Sequence, residues 1–328
     1  MHNRPGNIIY WLRTGGSYMM ILNKRYSGRE IRENMQLLAE AYSEFAVYRE
    51  IGVSHDERPI GMIRIGLGKP TLVLTGGLHG RESVNPVVLL HMLERYLQCF
   101  KAEETLDGYD VCRLLEQTSL CVIPLLNPDG YEIAQNGFNR IHNPMLAQMC
   151  RMKRIPAAEW KMNARAVDIN RNFPCQSYSP AAADDFPASE RETQALIQVF
   201  KDYNTVSYLD FHSRGKIIYY FRRAKSYGFN AKSARIARRL ERLSGYTLGT
   251  PANEGNGQGD GGNSVQYYAE QFDHPALTIE TLPEQAEFPL DCGYQRETYR
   301  EIYLLPLEML RTISRIKKGE YQKDVQRN

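Results

Sequence analysis

"TLVLTGGLHGRESVNPVVLL", residues Thr71 to Leu90, decides the fold class. Its first five residues are apolar or β-branched and stop at Gly76 and Gly77, the pattern of a short buried strand. After Pro86, apolar residues recur with helical spacing through "VNPVVLLHMLERYLQCF". A strand that turns through glycines into a helix is the first half of a βαβ unit. The turn carries His79 and Glu82, three residues apart. They are either metal ligands or an ordinary polar turn.

The rest of the chain repeats the alternation. "IGMIRIGLG", "SLCVIPLLN", "VSYLDFH", "KIIYYF" and "PALTIET" read as strands. "YSGREIRENMQLLAEAY", "ERETQALIQVF", "AKSARIARRLERLSG" and "TYREIYLLPLEMLRTISRIKK" read as helices, with Ser27 a cap and Gly245 a stop. The pattern predicts an α/β fold with a largely parallel sheet covered on both faces. Two stretches read as long loops: 130–166, and "TPANEGNGQGDGGNS" at 250–264. Gly255, Gly257, Gly259, Gly261 and Gly262 would let the second move over a site. No linker divides the chain. Residues 1–20 are expected to be an N-terminal extension, 21–318 one domain, and 319–328 a polar tail.

Composition narrows the class. Of 328 residues, 42% are hydrophobic and 24% charged, enough for a substantial core. A net charge of +3 is too near balance to imply a nucleic-acid partner. No apolar run approaches the roughly 20 residues that span a bilayer. The N-terminal apolar stretch is too short for a secretory signal. The six cysteines form no CxxC pair, which fits reduced thiols and a cytoplasmic location.

H-x-x-E occurs twice, at His79/Glu82 and His91/Glu94. The second pair falls inside a helix and reads as surface residues one turn apart. The first lies at the carboxyl end of a strand, the edge where open α/β sheets build sites. A catalytic zinc takes about three protein ligands from imidazoles and carboxylates. His212, at the end of "YLDFHS", is the candidate third. Hydrolysis at such a centre needs a base, and Glu280, ending "PALTIET", is the best candidate, because a carboxylate there is costly without a partner. In "RAVDINRNFP", Asp168 could accept the free N–H of a ligating histidine. Asn170 offers an amide, and Arg171 a fork that matches a carboxylate.

"GGLHGRES", "NPDGYE", "VDINRNFP", "LDFHS" and "LTIET", in that order, resemble the zinc metallocarboxypeptidase family. The resemblance covers roughly residues 26–317. It implies a single-domain, mixed, mostly parallel sheet of about eight strands flanked by helices, and one Zn2+. It also implies roles: His79, Glu82 and His212 as zinc ligands, Glu280 as general base, Asp168 behind His79. Asn170 and Arg171 would grip a terminal carboxylate, and Arg81 would line the cleft. Two positions depart from the family pattern. Lys161 stands nine residues before Asn170, where an arginine commonly polarises the scissile carbonyl. Gln258 stands where many members have a mobile tyrosine. The wording around "VDINRNFP" is most similar to the bacterial branch that includes γ-D-glutamyl-meso-diaminopimelate peptidases, which cut cell-wall stem peptides. It implies a peptide or muropeptide substrate, with side-chain specificity near Ser264 and Val265. Two alternatives stand beside it: an acyl-amino-acid amidohydrolase resembling aspartoacylases or desuccinylases, and a zinc-containing peptide-binding protein without turnover.

Overall fold

The computed structural model describes residues 19–180, 185–253 and 261–317. Eight strands form one mixed sheet: β1 (Ala46–Val53), β2 (Pro59–Ile65), β3 (Thr71–Thr75), β4 (Ser119–Ile123), β5 (Thr205–Ser213), β6 (Ile217–Tyr219), β7 (Thr247–Leu248) and β8 (Ala276–Thr281). Their spatial order is β1-β2-β4-β3-β5-β8-β6-β7. The four central strands β4, β3, β5 and β8 run parallel; β2 and β6 join them antiparallel, β1 pairs antiparallel with β2, and β7 pairs parallel with β6. Ten α-helices accompany the sheet in the described residues: α1 (Gly28–Ala41), α2 (Val84–Ala102), α3 (Val111–Gln117), α4 (Pro128–Asn136), α5 (Pro144–Met152), α6 (Arg191–Asp202), α7 (Tyr227–Ser244), α8 (Ser264–Phe272), α9 (Tyr294–Ile302) and α10 (Leu305–Lys317).

The central strands are apolar throughout because both faces are covered. Successive side chains alternate between two cores, as the pleat requires. Leu72, Leu74, Leu120, Val122, Leu209, Phe211, Leu277 and Ile279 enter the larger core, with α1, α2, α7, α9 and α10. Val73, Cys121, Ile123, Tyr208 and Ala276 enter the second, with α6 and α8. This parity has a consequence for chemistry. Tyr208, Asp210 and His212 share one face of β5, and Ala276 and Glu280 share the same face of β8. The register pairs Glu280 directly with His212.

Four sequence readings need correction. The stretch 130–166 is no loop: α4 and α5 lie within it, capped by Asn127 and Asn143 with proline in the first turn of each. It encloses a small core of its own, built on Ile133, Ile141, Cys150 and Trp160. The closing helix is two helices, since Pro306 starts a new one and cannot extend α9. His91 and Glu94 are buried, not surface residues. The Glu94 carboxylate accepts the backbone N–H groups of Met19 and Met20, and His91 Nδ1 meets the Met20 carbonyl at 2.6 Å. Residues 19–20, expected at the end of a loose extension, are therefore docked. Residues 1–18, the polar tail at 319–328, and residues 254–260 of the expected flap, which include Gly255, Gly257, Gln258 and Gly259, lie outside the described residues.

One backbone contact fixes the turn after β3. Gly80 donates to the Lys161 carbonyl at 3.1 Å, and its Cα lies against the Gly130 backbone. A methyl on Gly80 would stand 2.2 Å from the Gly130 carbonyl. Gly80→Ala is therefore expected to destabilise the fold by roughly 1–3 kcal/mol through overpacking. It should also loosen the turn carrying His79 and Glu82. Thermal melts and metal stoichiometry of the variant check both effects.

Candidate metal centre

His79 and Glu82 hang from the turn that follows β3, and His212 from the end of β5. The strands are hydrogen-bonded neighbours, so residues far apart in sequence meet. His79 Nδ1 lies 2.7 Å from Glu82 Oε1, and His212 Nδ1 lies 3.1 Å from Glu82 Oε2. The two Nδ1 atoms are 3.3 Å apart. Ligands at the usual zinc distances in a tetrahedron stand roughly 3.3 Å from one another. The three donors thus have the chemistry and the spacing of a divalent-cation site.

Each donor is held from behind. Asp168 Oδ1 lies 3.3 Å from His79 Nε2, and Asp210 Oδ2 lies 3.0 Å from His212 Nε2. With both Nε2 atoms turned to carboxylates, both Nδ1 atoms face the shared centre. The Ser213 backbone N–H donates to Glu82 Oε2. Asn85, in the first turn of α2, donates to the His212 carbonyl and accepts from the Thr281 hydroxyl, tying together the ends of β5 and β8. Asp210 escaped the sequence reading although its signal was present. It sits two residues before His212 on one strand, hence on the same face.

The electrostatics follow from burial among opposite charges. Burial alone would push the His79 imidazole down, but the Glu82 and Asp168 carboxylates outweigh it and leave it raised. His212 is likewise raised well above the ordinary value by Asp210 and Glu82, against burial. Burial would raise Glu82 and Asp168, but the imidazoles hold both below the usual carboxylate range. Glu280 behaves oppositely. Burial pushes it up to about 7, with the Glu82 charge adding to the rise and His212 opposing it.

His79 and Glu82 open onto a cavity of about 680 Å³, also lined by Arg81, Glu159, Lys161, Ser213, Arg214, Glu280, Glu287 and Phe288. Five of the sequence candidates, His79, Arg81, Glu82, Lys161 and Glu280, therefore share one space. His212 closes the metal triad from the sheet side. Lys161 Nζ is 2.6 Å from Asp168 Oδ2, so one carboxylate links the cavity's ammonium to the ring of His79. Asn170 and Arg171 stand just behind Asp168 rather than on the cavity wall. The Asn170 side-chain oxygen accepts from the Ser264 N–H, and Arg171 donates to the Asn170 carbonyl.

Ser264 and Val265 do not form a side-chain pocket here. Ser264 is fully buried and donates its hydroxyl to Asp210, so it positions the carboxylate behind His212. Val265 packs into the second core with Ile169 and Phe173. The sequence placed them near the site by chain order alone; the N-terminus of α8, capped by Asn263, turns both inward. Tyr267, on the same helix, is also a core residue.

A second cluster, His55, Glu190 and Glu192, lies behind the segment that carries Lys161 and Asp168. Asn163 donates to both carboxylates and Arg165 donates to Glu190. The Asn163 oxygen in turn accepts from the Arg165 and Val167 backbones. These side chains brace the segment that carries Lys161 and Asp168, with Glu192 Oε1 left without a hydrogen-bond partner among the described residues.

Residues 31–303 match the zinc carboxypeptidase family model. The chain belongs to the zinc carboxypeptidase family. It is 25% identical over 275 residues to the γ-D-glutamyl-L-diamino acid endopeptidase 1 of Lysinibacillus sphaericus, covering 78% of this chain and 65% of that one. It is 25% identical over 242 residues to the uncharacterized protein YqgT of Bacillus subtilis, covering 68% of this chain and 62% of that one. The matches thus span slightly less than two thirds of either relative's length. Among solved structures, bovine thrombin-activatable fibrinolysis inhibitor, in complex with tick carboxypeptidase inhibitor, superposes with a TM-score of 0.71 at 17% identity. That match covers 89% of this chain and 98% of the other. Carboxypeptidase A of Helicoverpa armigera gives 0.68 at 18% identity, covering 92% and 77%. These likenesses establish the carboxypeptidase fold.

If Asp210 fixes the ring of His212, Asp210→Asn should weaken zinc affinity by about 10- to 100-fold without unfolding the protein. Chelator competition measures the affinity, and circular dichroism checks the fold. An unchanged affinity would assign the orientation of His212 to other contacts.

Proposed function

We propose that this chain is a zinc-dependent peptidase that hydrolyses the amide bond of γ-D-glutamyl-diamino acid peptides, the linkage of bacterial cell-wall stem peptides. The carrying observation is the convergence of His79, Glu82 and His212 on one centre, with Glu280 on the wall of the same cavity. A named relative supports the substrate class: a γ-D-glutamyl-L-diamino acid endopeptidase matches most of this chain.

When bound, zinc would lower the pKa of water from 15.7 toward about 7 and polarise the scissile carbonyl. His79, Glu82 and His212 would hold it. Glu280, whose carboxyl is already raised, takes the proton of the attacking water and returns it to the leaving amine. Lys161 adds a point positive charge beside the developing oxyanion, steadied by its bond to Asp168. Its ammonium gives no planar fork, so this site relies on charge more than on bidentate geometry. Asn170 and Arg171 act from behind Asp168, where Arg171 helps keep that carboxylate ionised.

The test compares zinc-loaded protein on γ-D-glutamyl-diaminopimelate peptides, α-linked C-terminal peptides and N-acyl amino acids, with products read by mass. Cleavage of the first set, lost on chelation and restored by zinc, is expected. Cleavage confined to N-acyl amino acids would replace the peptidase reading with an amidohydrolase. Glu280→Gln should lower kcat by roughly 10²- to 10⁴-fold while retaining one zinc per chain. Full activity in that variant would remove Glu280 from the reaction.

A further inference from the structure

The cleft holds two guanidinium groups that the proposed hydrolysis does not use. Arg81 follows the ligand His79 by two residues, and Arg214 follows the ligand His212 by two. Each therefore leaves its ligand-bearing segment beside the metal centre, and both line the cavity. The ring of Phe288 braces both. The Arg81 guanidinium carbon stands 4.3 Å from its centroid, and that of Arg214 stands 5.4 Å from it. Such stacking holds a guanidinium in place while leaving its donors directed outward.

Among the described residues neither arginine has a carboxylate within 4 Å, although Glu159 and Glu287 line the same cavity. Arg81 has one side-chain bond, from Nη1 to the Glu159 backbone carbonyl at 3.5 Å, and its Nε is buried with no acceptor. Arg214 donates from Nη1 to the Ala286 carbonyl. Two fixed cations with spare donors, beside a hydrolytic centre, form a receptor for an anion. Lys161 does not compete for this role, because its bond to Asp168 holds the ammonium on the other side of the metal centre's histidine, where it serves the oxyanion.

We propose that Arg214, together with Arg81, recognises the free carboxylate of the acyl-side residue of the substrate. This rests on the peptidase reading above. In a γ-linked glutamyl residue the side chain forms the scissile amide, so the α-carboxylate remains free, its carbon four bonds away from the reacting carbonyl carbon. Arg171 and Asn170 stand behind Asp168, off the cavity wall, and do not compete for this group. Arg214 is then a specificity-determining residue: it separates a γ-glutamyl substrate with a free α-carboxylate from the same peptide with an α-carboxamide.

The experiment measures binding, apart from turnover. Zinc-loaded Glu280→Gln protein is titrated by calorimetry with an N-acetyl-γ-D-glutamyl-lysine dipeptide and with its glutamyl α-carboxamide. The carboxylate form is expected to bind at least about tenfold more tightly, as a charge-assisted pair would give. Adding Arg214→Ala should bring the two ligands within about twofold of each other, and Arg214→Lys should fall between, because lysine keeps the charge but loses the fork. Equal binding of the two ligands before Arg214 is changed would overturn the proposal. So would a preference that survives Arg81→Ala and Arg214→Ala together. Failure of the unsubstituted enzyme to cut the dipeptide would count against the peptidase reading, while the binding difference would still judge the arginines.

Discussion

The molecule is organised around one carboxylate. Glu82 lies between two imidazoles, His79 three residues away and His212 130 residues away, with an oxygen toward each. Bringing these groups together inside protein is costly, because each loses water. The fold meets that cost by surrounding them with partners of opposite sign: Asp168 behind one ring, Asp210 behind the other, and the Ser213 N–H on Glu82. The parallel sheet sets the distance. β3 and β5 are hydrogen-bonded neighbours, so the segments that emerge from their carboxyl ends begin side by side. β8 follows β5 in register, and Glu280 arrives next to His212.

A second layer keeps that arrangement rigid. The turn bearing His79 can pass only because Gly80 has no side chain to meet the Gly130 backbone, and Gly130 has none to meet the Met162 carbonyl. Gly80 also bonds to Lys161, the residue that anchors Asp168. Lys161 and Asp168 belong to a segment braced further out by Asn163, Glu190, Glu192 and Arg165. Burial pushes Glu192 up to about 7, so near neutral pH it adds only part of a negative charge beside Glu190. His79, Glu82 and His212, the Lys161 ammonium and the segment around Asp168 are thus one connected body.

Most of this frame was legible in the sequence because it depends on short-range patterns. Apolar strands bounded by glycine, and helices opened by Ser27 and closed by Gly245, carry their signals locally. The His79–Glu82 spacing and the strand-end positions of His212 and Glu280 were equally readable. What failed depended on distant packing. The stretch 130–166 looked like loop because its apolar residues are sparse, yet Trp160 folds back on Phe138 and Ile133 to bury them. His91 and Glu94 looked like a solvated pair because nothing nearby in sequence announces that residues 19–20 return to cover them. Ser264 and Val265 were assigned by chain proximity to Glu280, but a helix N-cap decides which way they point. Arg214, Glu287 and Phe288 offered no motif; only the cavity brings them together.

The charge state of the pocket argues for the cation independently of any likeness. Glu82, Asp168, Asp210 and Glu280 crowd His79, His212 and Lys161, and the two imidazoles are driven toward their protonated forms. A protonated imidazole has no lone pair at Nδ1 to donate. Two protons and one divalent ion carry the same charge, so exchanging them leaves the pocket's electrostatics nearly unchanged while freeing both Nδ1 atoms as ligands. The donors then stand at the separations a tetrahedral ion requires, and the carboxylates behind the rings keep their function. A cluster built only for stability would gain nothing from directing two Nδ1 atoms at one point 3.3 Å apart. Holding a divalent ion explains that convergence, and the raised carboxyl of Glu280 on the open side of the same centre gives the ion a reaction to serve.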